Sequence, residues 1–166
     1  MNWMKKVAVA LVCLLPLGLQ AAKIDTLQVK SPSMNKSIEV VVVSPDVAAT
    51  KACPVIYLLH GYGGNACTWV GIKPDLPKIA DEKGIFFVCP DGKNTWYWDS
   101  PLNADVRYET FISNELVKYV DSHYKTVADR KGRAITGLSM GGHGAMWNGL
   151  RHSDVFSAAG STSGGV

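Results

Sequence analysis

The segment Gly137-Leu138-Ser139-Met140-Gly141 constrains the fold of this chain more than any other. An apolar run, Ala134-Ile135-Thr136, stands before it, and a helix-compatible stretch from Met140 to Arg151 follows. Strand, G-x-S-x-G and helix in that order describe a sharp turn with a serine at its apex. Gly137 and Gly141 leave room for neighbouring chain to pack close, and the Ser139 hydroxyl then stands above the carboxyl edge of a sheet. The helix aims its N-terminus at the same point and favours negative charge there. A phosphate-binding loop is a poorer match, because no lysine follows the glycines. Ser139 is therefore the candidate nucleophile.

The rest of the chain supplies the sheet that such a turn requires. Ile24 to Val29 and Ile38 to Val43 are β-rich runs separated by Ser31-Pro32-Ser33 and Asn35-Lys36, which predicts an antiparallel pair. Val55 to Leu59 and Ile85 to Val88 are apolar without alternation, as strands buried on both faces are. Asp75 is a candidate cap for a helix from Leu76 to Lys83, with Pro77 in its first turn and Gly84 ending it. Tyr108, Phe111, Ile112, Leu116, Tyr119 and Val120 recur at spacings of three and four, predicting a helix from about Asp105 to Tyr124. A short strand is expected at Phe156 to Gly160. Strands alternating with helices from Val55 onward indicate an α/β fold with a mostly parallel sheet and helices on both faces.

A second loop bears on chemistry. His60-Gly61-Tyr62-Gly63-Gly64 directly follows the strand at Val55. Acyl transfer puts negative charge on a carbonyl oxygen, and two backbone N–H groups must already point at it. The backbone N–H groups of Tyr62 and Met140 are the candidates, with Gly63 as the alternative to Tyr62; Gly61, Gly63 and Gly64 give the loop its freedom. His60 precedes the loop and is better suited to orient it by hydrogen bonding than to act as a base. Trp69, Trp96 and Tyr97 are candidate pocket residues, since aromatic faces stack on sugar or phenolic rings; Trp147 reads as core. Glu109 and Glu115 stand six apart on one helix, too poorly aligned for an acid pair, so solvated or structural roles are expected. Cys53 and Cys89 read as small apolar residues, and with Cys67 they leave an odd count for any disulfide. The four histidines lack ligand spacing such as H-E-x-x-H, so neither a metal nor a cofactor is expected.

Lys5 and Lys6, an uncharged run from Val7 to Leu19, and Gln20-Ala21-Ala22 have the layout of a secretory signal peptide, so residues 1–22 are expected to be removed on export to the periplasm or beyond. The run is short for a membrane span. Without that segment 15 Lys+Arg face 14 Asp+Glu, and no basic cluster suggests a nucleic-acid partner.

Taken together, HGYGG, the helix with Tyr108-Glu109-Thr110-Phe111 and Glu115-Leu116, and GLSMGGHGA resemble the esterase D-like branch of the α/β-hydrolase superfamily, which includes S-formylglutathione hydrolases, feruloyl and acetylxylan esterases, and mycolyltransferases. The resemblance runs from about Ser37 to the last residue. It implies a serine carboxylesterase working through an acyl-enzyme. Export favours acyl esters of plant cell-wall carbohydrate as substrate; an acyltransferase of the same fold and a non-catalytic carbohydrate-binding module are the alternatives. In α/β-hydrolases an acid and then a histidine follow the serine. After Ser139 come only Asp154, His143 and His152, in the wrong order. The triad acid and histidine, with further strands and helices, are expected beyond residue 166, so residues 23–166 read as the N-terminal part of one catalytic domain.

Overall fold

The computed structural model describes residues 22–165. The expected signal segment lies outside the described residues except for Ala22. Six strands form one sheet in the order β1-β2-β4-β3-β5-β6. β1 (Lys23–Ser31) and β2 (Lys36–Ser44) make the predicted antiparallel hairpin. Its turn places Asn35 at a positive φ of 48°, which asparagine tolerates better than most residues. β2 also pairs antiparallel with β4 (Phe86–Pro90). The remaining pairings, β4 with β3 (Val55–Leu59), β3 with β5 (Arg133–Leu138) and β5 with β6 (Ala158–Thr162), are parallel.

The unbroken apolar runs are explained by two cores. Tyr57, Leu59, Phe86, Val88 and Ile135 point into one, while Leu58, Phe87 and Cys89 join Val41 and Val43 in the other. Successive side chains on a strand face opposite ways, so a strand covered on both sides needs apolar residues at every position. α1 (Thr68–Ile72) and α2 (Leu76–Lys83) lie on the side of the second core, where Leu76 and Ala80 are buried. The first core is covered by α3 (Tyr108–Thr110), a π-helical segment (Phe111–Leu116), α4 (Val117–His123) and α5 (Met140–Arg151). Each Phe or Leu fully buried here contributes about 1.5–3 kcal/mol.

Four local expectations are corrected. Asp75 makes no side-chain cap on α2; its carboxylate accepts from Lys73 Nζ at 2.7 Å instead. The long helix begins at Tyr108, not Asp105, because Asp99 supplies the cap from outside: its carboxylate accepts from the Thr110 N–H and Oγ1 at 3.0 and 2.6 Å, and it bridges to Arg107. The same helix widens into a π turn over Phe111–Leu116, a detail that spacings of three and four do not resolve. The last strand starts two residues late, since Phe156 is consumed as a core anchor, edge-on to Tyr57 at 5.6 Å. Cys53, Cys67 and Cys89 are all free, with Cys53 and Cys89 buried as expected. Burial pushes both buried thiols to higher pKa.

Candidate active site

The turn at Ser139 has the predicted form. β5 ends at Leu138, α5 begins at Met140, and Ser139 between them adopts φ 54°, ψ −117°. That conformation is strained for any residue with a Cβ. It leaves Ser139 exposed above the end of the parallel strands. Two tight approaches hold it. A Cβ on Gly137 would overlap the Gly141 carbonyl, and one on Gly141 would overlap the Leu59 carbonyl and sit 2.6 Å from that of His60. The start of α5 therefore rests directly on the end of β3, an approach only glycine allows.

The HGYGG loop arrives at the same place. A Cβ built on Gly61 would lie 3.6 Å from Ser139 Cβ. Three amides around the serine are committed. The Ser139 N–H donates to Thr162 O at 2.8 Å, Gly63 N–H to Asn94 Oδ1 at 2.7 Å, and Gly64 N–H to Gly61 O at 3.0 Å. The N–H groups of Tyr62 and Met140 have no partner among the described residues. The alternative donor, Gly63, is thus already occupied.

The surroundings of His60 fix its role geometrically. It is 1% exposed, and the Gly92 N–H donates to its Nε2 at 2.9 Å. A backbone amide can only donate, so Nε2 is the unprotonated nitrogen; Nδ1 then carries the proton and donates to Gly61 O at 2.7 Å. His60 bridges the loop after β3 to the turn after β4. Asp91 Oδ1, 3.5 Å from Nε2, faces that lone pair and is not its hydrogen-bond partner. Burial would raise the Asp91 carboxyl, but hydrogen bonds from the Lys93 ammonium and N–H outweigh this and hold it below the usual carboxylate range.

Residues 31–166 match the Esterase family model ("Putative esterase"). The chain belongs to the esterase family. It is 32% identical over 102 residues to the acetyl esterase of Caldicellulosiruptor saccharolyticus, covering 61% of this chain and 37% of that protein. It is 34% identical over 123 residues to the endo-1,4-beta-xylanase/feruloyl esterase of Xylanibacter ruminicola, covering 68% of this chain and 17% of that protein. A solved ferulic acid esterase superimposes with a TM-score of 0.71 at 32% identity, over 84% of this chain and 61% of that one. The sheet, its helices and this match give the chain the α/β-hydrolase fold. The chain spans little more than a third, or less, of the curated relatives it matches.

Within this esterase chain the candidate aromatic residues separate. Trp96 is 39% exposed and stands edge-on to His143 at 5.4 Å, one turn along α5 from Ser139. Tyr97 is fully buried and its hydroxyl donates to His60 O at 3.1 Å, so it supports the loop from beneath. Trp69 Nε1 donates to Leu59 O at 3.0 Å, and its ring packs on the second core. Trp147, expected in the core, is half-buried and donates from Nε1 to Glu109 Oε2 at 2.7 Å.

Both glutamates are structural. Glu109 also accepts from Arg151 Nε at 2.8 Å and meets His152 Nε2 at 2.9 Å, tying the helix at Tyr108 to α5. Burial works against its charge, but these donors prevail and keep its carboxyl below the usual range. Glu115 accepts from Ser31 Oγ at 2.6 Å and the Ser33 N–H at 2.8 Å, fastening the β-hairpin to the π turn. Missed in the sequence were Asn94, Lys93 and Asn148. The only signal near the first two was Pro90-Asp91-Gly92, which marks a turn without revealing what that turn holds.

Proposed function

We propose that the protein is an exported serine carboxylic-ester hydrolase acting through an acyl-enzyme on acyl esters of plant cell-wall carbohydrate, with feruloyl or acetyl as the acyl group. The observation that carries the reading is Ser139, exposed at a strained apex, beside the Tyr62 and Met140 amides, which have no partner among the described residues. The hydroxyl attacks the ester carbonyl and gives its proton to a base. The oxygen that gains charge is received by the Tyr62 and Met140 N–H groups, supported by the N-terminus of α5. Collapse expels the alcohol, and water releases the acyl group from Ser139 by the same path.

The base is assigned to chain following Val166. Among the described residues no histidine is hydrogen-bonded to Ser139 Oγ: His60 has both nitrogens bonded, His152 is held by Glu109, and His123 and His143 place Nδ1 on Tyr119 O and Gly165 O without Nε2 reaching the serine. The greater length of the relatives is in keeping with this assignment. The names of the acetyl esterase, the feruloyl esterase and the ferulic acid esterase support the substrate class, and the layout of residues 1–22 supports export.

The test is hydrolysis of methyl ferulate and an aryl acetate by the full-length gene product. Ser139→Ala should abolish turnover and labelling by a fluorophosphonate probe; turnover retained in that variant refutes the assignment. The 166-residue chain alone should turn over slowly, because only oxyanion and binding effects remain without a base.

A further inference from the structure

The loop joining β4 to α3 concentrates backbone strain. Lys93, Trp96 and Tyr97, three non-glycine residues within five positions, have φ of 50°, 59° and 61°. Such residues persist only where their surroundings leave no alternative. Here the surroundings are tight. A Cβ on Gly92 would overlap the Tyr97 ring, and one on Gly144 of α5 would come within 2.5 Å of it. Asn148 Nδ2 donates to Tyr97 O at 2.9 Å, and Thr95 Oγ1 donates to Gly92 O at 2.6 Å.

This rigid loop delivers three hydrogen bonds to residues 60–63. The Gly92 N–H and the Tyr97 hydroxyl hold the two ends of His60, and Asn94 Oδ1 takes the Gly63 N–H. Along the HGYGG turn the consequence is selective. Gly64 is bonded to Gly61 and Gly63 to Asn94, so of the two candidate donors, Tyr62 and Gly63, the free amide is that of Tyr62. Gly63 has φ 78°, a region only glycine enters freely, so the Tyr62–Gly63 peptide can turn when nothing holds it.

We propose that Asn94 is a positioning residue: by occupying the Gly63 amide it sets the Tyr62 amide as the loop's oxyanion donor. The proposal rests on the serine-esterase reading. Asn94 is exposed, so its side chain can be removed without opening the core.

The experiment has two arms. In the full-length protein, amide hydrogen exchange followed by NMR should speed up at Gly63 in Asn94→Ala. It should stay slow in Asn94→Asp, which keeps an acceptor oxygen. In the full-length enzyme, Asn94→Ala should lower kcat and kcat/KM together by about 3–10-fold, the pattern of an interaction made in the transition state. That is part of the roughly 100–1,000-fold effect of losing a whole donor. The melting temperature should move by less than about 2 °C, as for an exposed substitution. A wild type without Ser139-dependent turnover overturns the esterase reading, and this role with it. A wild type that turns over while Asn94→Ala matches it, or loses rate only in proportion to a lowered melting temperature, overturns this role alone. Unchanged exchange at Gly63 does the same.

Discussion

Replacing Glu109 by alanine should uncouple the helix that starts at Tyr108 from α5, which carries Ser139. The Glu109 side chain is 11% exposed and its carboxylate meets Trp147 Nε1 at 2.7 Å, Arg151 Nε at 2.8 Å and His152 Nε2 at 2.9 Å. The three contacts are not equal. The Arg151 side chain is 56% exposed and finds water when released, so its share is at most about 1 kcal/mol. The indole N–H of Trp147 is half-buried, and a hydrogen bond to a charged acceptor contributes about 1.5–3 kcal/mol. With a smaller share from His152, whose side chain is 29% exposed, the three contacts give an expected loss of about 2–4 kcal/mol, or roughly 6–12 °C in melting temperature for a domain of this size. The effect carries a pH signature. A carboxyl held below its unfolded value near 4.3 contributes stability that is present above that pH and lost as pH falls through the folded value. Asp91 titrates in the same direction, so wild type must be compared with Glu109→Ala rather than read alone. Urea unfolding at intervals between about pH 7 and pH 3 should show a gap of about 2–4 kcal/mol that narrows below about pH 4.5. A gap that stays constant with pH, or that never exceeds about 0.5 kcal/mol, would refute the reasoning.

Two further outcomes test the site's architecture. Gly141→Ala places a methyl group against the Leu59 and His60 carbonyls, backbone that cannot move aside; it should cost about 3 kcal/mol or more and distort the turn at Ser139, and a melting curve like wild type's would contradict the close approach. Nitrogen-15 NMR of His60 should show the Nδ1–H tautomer with an unprotonated Nε2, and an Nε2–H signal would contradict the Gly92 hydrogen bond.

The parts that were legible in the sequence share a physical cause. The sheet was readable because each central strand is covered on two sides, and that requirement writes itself as an unbroken apolar run at Val55–Leu59 and Phe86–Val88. The turn at Ser139 was readable because two steric demands, at Gly137 and Gly141, act within five residues of each other. Other features depend on partners far along the chain. Asp99 caps a helix that begins nine residues later, and it does so through a loop whose path no local pattern specifies. Glu109 looked like half of an ill-spaced acid pair, yet its partners Trp147, Arg151 and His152 stand about 40 residues away.

The aromatic loop shows why residue type alone misleads at such a site. Trp96 and Tyr97 are neighbours with the same unusual backbone conformation, and both were read as candidate pocket walls. Consecutive left-handed residues throw their side chains in different directions. Tyr97 goes under the loop and spends its hydroxyl on His60, while Trp96 stays half in solvent against His143. The strain that separates them follows from Gly92 and Gly144, which are bare where the tyrosine ring must pass. Two glycines 52 positions apart thus decide which of two adjacent aromatic residues is buried and which stays at the surface beside His143. That division is set by packing across the end of the sheet, so composition and spacing could place both rings near Ser139 but could not assign them different tasks.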